Sequence, residues 1–73
     1  MSRLIRLDRT GHTELAEWNA EGAGVDAARA AFAAGLDHGY FAVASRPDGE
    51  TEQVRELPLD ADLVVLRRPI AGG

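Results

Sequence analysis

The strongest constraint on how this chain can fold is the position of its most apolar run. Leu63-Val64-Val65-Leu66 stands near the end of the 73 residues, and Arg67 and Arg68 follow it directly. Consecutive apolar residues describe a strand covered on both faces, and such a strand belongs in the interior of a sheet. The last strand must therefore insert among strands formed earlier, beside the first. A chain of this length makes one domain at most. Folding buries only about 60 % of the surface that so short a chain exposes when unfolded. One sheet covered by one helix fits that size, whereas a deep pocket with its own catalytic shell does not.

The rest of the chain supplies matching pieces. Residues 3–8, with Leu4, Ile5 and Leu7, read as a strand. Asp8-Arg9-Thr10-Gly11 has the composition of a tight turn, and residues 12–18 read as the returning strand of a hairpin. From Val25 the period changes: Val25, Ala28, Phe32 and Leu36 recur at helical spacing, with Asp26 in the first turn, His38 in the last and Gly39 as C-cap. Residues 40–45 are β-like, and Arg46-Pro47-Asp48-Gly49 is a turn. Residues 50–57 are charged enough for an edge strand, and residues 57–62 connect to the final strand. The expected architecture is α+β: a mixed sheet of four to five strands with one helix packed across a face. Phe32, Leu36, Val25, Ile5, Val43, Leu63 and Val65 are the expected core. Residues 1–68 form the body, and residues 69–73 a tail.

Composition narrows the function. The net charge is -4, which opposes nucleic-acid binding and gives nothing to attract an anionic membrane. The absence of cysteine excludes disulfides, thiolate catalysis and cysteine-ligated zinc. No apolar run has the length of a membrane span, and residues 1–6 are too charged and too short for a signal peptide. A cytoplasmic location is the expectation. All eight basic residues are arginine. That pattern suits a genome rich in Arg and Ala codons. It also suits a protein that is joined to lysines without being chained to itself through side-chain amines.

The tail has features that suggest use. Pro69 removes a hydrogen-bond donor and ends strand pairing. Ile70 has no core to enter, and Ala71, Gly72 and Gly73 are as slim as a peptide can be. Extended, these five residues would reach about 16 Å. A slim peptide of that reach can enter a narrow channel in another protein. There the Gly73 carboxylate could attack the α-phosphate of ATP and become an acyl-adenylate. Glycine suits that step because it has no Cβ to obstruct close approach. Gly22-Ala23-Gly24 lacks phosphate-loop spacing, so ATP and Mg²⁺ would be bound by the activating partner and the chain would need no cofactor of its own.

The segment Asp60-Ala61-Asp62-Leu63-Val64-Val65-Leu66, two arginines and Pro69-Ile70-Ala71-Gly72-Gly73 resembles the end of the bacterial sulfur carriers of molybdopterin and thiamine synthesis. In those proteins an Asp-Gly-Asp turn leads to an apolar strand, a proline-containing exit and Gly-Gly. Ala61 stands here in place of the turn glycine, and Arg68 in place of the first of two prolines. The same fold includes ubiquitin, in which arginines precede the terminal glycines as Arg67 and Arg68 do. The resemblance implies a ubiquitin-like β-grasp fold and activation of Gly73 by an E1-like enzyme. Gly72 and Ala71 would thread the partner's channel, with Ile70, Arg68 and Arg67 docking the tail. The product would be a thiocarboxylate delivered to a sulfur-acceptor enzyme, or an amide bond to a conjugation target. The chain would be a carrier and not an enzyme.

Other residues weigh less. Asp60 and Asp62 fit a turn better than an acid–base pair. His12 and His38 have no ligand spacing, and Ser45 has no positioned base. Trp18 and Tyr40 either cap the small core or form a docking surface. A β-grasp interaction module with an incidental tail, binding a partner through its sheet face or Trp18, is the alternative function.

Overall fold

The computed structural model describes residues 1–8 and 11–68. Among the described residues, five strands and one helix follow in the order expected: β1 (Ser2–Asp8), β2 (Gly11–Trp18), α1 (Val25–Asp37), β3 (Phe41–Ser45), β4 (Thr51–Val54) and β5 (Leu63–Arg67). They form one mixed sheet in the spatial order β2-β1-β5-β3-β4. The last strand is thus the middle one, parallel to β1 and antiparallel to β3. A mixed sheet of this order with a helix across one face is a β-grasp fold.

β1 and β2 pair antiparallel, with an irregularity after Leu4: Leu4 faces Ala16 while Ile5 faces Glu14. Leu15 is the extra residue of this bulge. The turn residues Arg9 and Thr10 lie outside the described residues. The turn between β3 and β4 closes through Gly49 N–H donating to the Arg46 carbonyl at 2.9 Å, with Gly49 at φ 88°. β4 is shorter than the charged run 50–57. After Val54 the chain leaves the sheet, and Leu57 packs against the core.

The connection that delivers β5 is held by backbone. Asp62 N–H donates to the Ser45 carbonyl at 3.0 Å, and the Asp62 carbonyl accepts from Arg3 N–H at 3.1 Å. Asp62 is therefore bonded to both future neighbours before β5 begins. Ala61, just before Asp62, is fully buried.

Helix α1 starts at Gly24, whose φ of 84° is left-handed. His38 is the C-cap and lies just past the last turn; its ring Nδ1 is 2.7 Å from the Ala34 carbonyl, and Gly39 follows at φ 89°. At Gly35 the helix lies close against the sheet: an added Cβ would stand 2.5 Å from Leu66 Cδ1.

The core lies between α1 and one face of the sheet: Leu4, Ala42, Ala44, Val64 and Leu66 from the strands, Ala28 and Phe32 from the helix, and Trp18 and Ala61. This corrects four of the seven residues expected in the core. Ile5, Val43, Leu63 and Val65 point to the other face and are only half-buried. Val64 pairs with Leu4 and Ala44, whereas Val65 pairs with Ile5 and Val43. Neighbouring residues in a strand point to opposite faces, so the helix can cover only one of these rows. Val25 and Leu36 pack at the edge of the core, half-buried, and Phe32 is buried as expected.

Candidate functional site: the exit of the last strand

The proposed working end of the chain begins where β5 stops. Arg67 ends the strand opposite Phe41, on the face away from α1, and is exposed. Arg68 follows on the helix side, with its guanidinium 5.5 Å from the centre of the Tyr40 ring. A guanidinium at that distance from an aromatic face is in cation–π range. The two arginines therefore take different roles: Arg67 borders the open face, and Arg68 lies over Tyr40. Residues Pro69, Ile70, Ala71, Gly72 and Gly73 lie outside the described residues.

Beside this exit runs an apolar row that no residue pattern had singled out. Ile5, Val65 and Val43 stand side by side on β1, β5 and β3. Leu63 and Phe41 extend the row along the two strands. Charges flank it: Arg3 and Arg67 on the strands that carry it, and Glu14 and Glu17 on β2. Apolar residues on a face that the helix leaves open, with a polar rim, are the usual composition of a protein-docking surface.

Trp18 does not contribute to such a surface. It is 1 % exposed, and its indole N–H donates to the Leu59 carbonyl at 3.1 Å. Its role is to close the core at the end of β2 and to tie the 57–62 connection down. Tyr40 is half-buried against the core with Arg68 above it.

Asp60 belongs to a surface ion cluster. Arg46 bonds Asp60 through Nη1 and Glu52 through Nη2, the latter at 2.9 Å. The hydrogen bond that Arg46 donates to Glu52 and the charge of Asp60 hold the guanidinium above its ordinary pKa. This cluster fastens β4 to the connection before β5, a structural role for a carboxylate that could have been read as catalytic. Among the described residues, no group of three or more His, Asp or Glu side chains is placed to hold a metal ion. No described helix is long and apolar enough to cross a membrane. No protein-family model, curated protein or solved structure matches the chain.

Proposed function

We propose that this chain is a ubiquitin-like carrier or modifier whose Gly73 carboxylate is adenylated by an E1-like enzyme. The observation that carries the reading is the central place of β5. The strand is held by β1 on one side and β3 on the other, so the domain presents a rigid platform up to Arg68. Residues 69–73 continue from that platform and end in Ala71-Gly72-Gly73, where no side chain is larger than a methyl group. The open row Ile5–Val65–Val43 lies alongside, where an activating enzyme can grip the domain while it receives the tail. ATP and Mg²⁺ belong to that partner. The chain is a substrate, with no catalysis of its own, and the cytoplasm is the compartment this reading expects.

Two products follow from one adenylate. Sulfide equivalents delivered by a donor protein displace AMP and leave a thiocarboxylate for a sulfur-acceptor enzyme. A target amine displaces AMP, directly or through a thioester, and leaves an amide. Mass spectrometry of protein from its native host separates them: oxygen replaced by sulfur at the C-terminus, or a Gly-Gly remnant on target lysines. Deleting Gly72-Gly73 is expected to abolish either product. A truncated chain that still forms one ends the proposal.

The open face also supports a second reading, an interaction module in which the tail is incidental. Partner capture that survives loss of residues 69–73, with neither product detected, would favour it.

A further inference from the structure

A second concave surface lies on the other side of the sheet. A cleft of about 290 Å³ opens between the C-terminal half of α1 and the ends of β1 and β5. Its apolar walls are Leu15 and Ala31 over the buried Leu66, and its polar groups include Arg6, Tyr40 and Arg68. Small-molecule sites run from about 300 to 1,000 Å³, so this cleft has room for one or two side chains and not for a large cofactor.

The charge of the cleft is opposite to that of the molecule. The chain carries a net -4, yet no aspartate or glutamate lines the cleft, while two arginines do. Arg6 reaches Asp8 only at 3.9 Å, and its Nε has no hydrogen-bond partner among the described residues. Arg68 is held by the Tyr40 ring, a contact that leaves its N–H donors available. Guanidinium groups with donors to spare bind carboxylates in a planar, two-bond geometry. Ala34 and Gly35 keep the helix side of the cleft low, so that a branched side chain can settle against the half-buried Leu15 and Ala31.

We propose that this cleft docks an acidic peptide segment of a partner protein, one that places a leucine-sized side chain on Leu15 and Ala31 and a neighbouring carboxylate on Arg6 and Arg68. The site is separate from the open face Ile5–Val65–Val43 and does not rest on the chemistry of Gly73. Its occupancy is read without ATP or an activating enzyme, so its failure and that of the carrier reading are distinguishable.

The test is an NMR titration of the ¹⁵N-labelled full chain with the acetylated, amidated tripeptide Glu-Leu-Asp and its neutral counterpart Gln-Leu-Asn. Saturable shifts are expected at Arg6, Leu15, Ala31, Gly35 and Leu66, with millimolar affinity for the acidic peptide and about tenfold weaker binding of the neutral one. Arg6→Gln is expected to bring the acidic peptide to the neutral peptide's affinity. Ala34→Glu, on the exposed helix surface, places a like charge at the rim and is expected to weaken the acidic peptide alone. Equal affinities, no saturable shift, or shifts centred on Ile5, Val43 and Val65 would overturn the proposal. So would markedly tighter binding to a chain ending at Arg68, because the tail itself would then be the occupant.

Discussion

At Gly24 a single hydrogen atom decides whether the helix can start. The residue is left-handed, and a Cβ there would collide with the Glu17 carbonyl and stand 3.3 Å from Trp18 Cα. Both neighbours are backbone atoms of β2, which cannot rotate away. A left-handed non-glycine residue costs about 1–3 kcal/mol before any clash. Gly24→Ala is expected to lose about 2–4 kcal/mol, a large share of a small domain's stability. Urea unfolding followed by circular dichroism measures it; an unchanged midpoint would show that β2 gives way freely. Trp18 is the second residue on which much depends. Trp18→Phe keeps an aromatic ring in the core but removes the donor to the Leu59 carbonyl. The expected loss is about 1.5–3 kcal/mol from the orphaned carbonyl and the smaller ring. The indole lies 41 positions from its acceptor along the chain. Nothing local in Glu17-Trp18-Asn19 could have announced that partner, which is why the sequence left Trp18 between core and docking surface.

At the scale of elements, the sequence was most legible where pattern and topology coincide. The helix period from Val25, the Pro47-Asp48-Gly49 turn and the apolar run before Arg67 each foretold an element, and the run foretold that β5 would sit beside β1. What pattern could not supply was phase. Leu63-Val64-Val65-Leu66 is apolar at every position, so it does not say which pair meets the helix. The answer comes from β3, where Ala42 and Ala44 are small enough to sit beneath the helix and Phe41 and Val43 take the other side. The cleft was invisible for a related reason: its walls come from β1, β2, α1 and β5, and its lining runs from Arg6 to Arg68 along the chain. Arg67 and Arg68 were readable as the exit, but their separation onto opposite faces follows from the strand's alternation. The Arg46 cluster makes the element scale testable. It joins Glu52 on β4 to Asp60 in the connection, at the surface. Arg46→Gln is expected to lower the thermal midpoint in dilute buffer, and the gap to close in about 1 M salt, where charges are screened within about 3 Å. A gap that persists at high salt would mean that Arg46 acts through packing of its stem instead.

At the scale of the whole molecule, the fold separates holding from reacting. Among the described residues, the features that hold the domain reach as far as Arg68: the core cluster, the pairing of β5 on both sides, and the Tyr40–Arg68 contact. These features are built from residues 1–68, and Gly72 and Gly73 lie outside the described residues. Their deletion is therefore expected to change unfolding free energy by less than about 0.5 kcal/mol, the usual range for positions away from packed features, while removing adenylation by the partner entirely. The open face predicts the complementary phenotype. In an Ile5→Thr, Val43→Thr double variant both side chains stay β-branched and strand-compatible, but the row loses its apolar centre. If an activating enzyme grips the domain there, the variant's adenylation should show a raised KM and a kcat close to that of the parent, the signature of lost uniform binding. A fall in kcat at unchanged KM would place the row's effect in the chemical step and count against docking. Together the two variants separate the grip on the domain from the reaction at the tail.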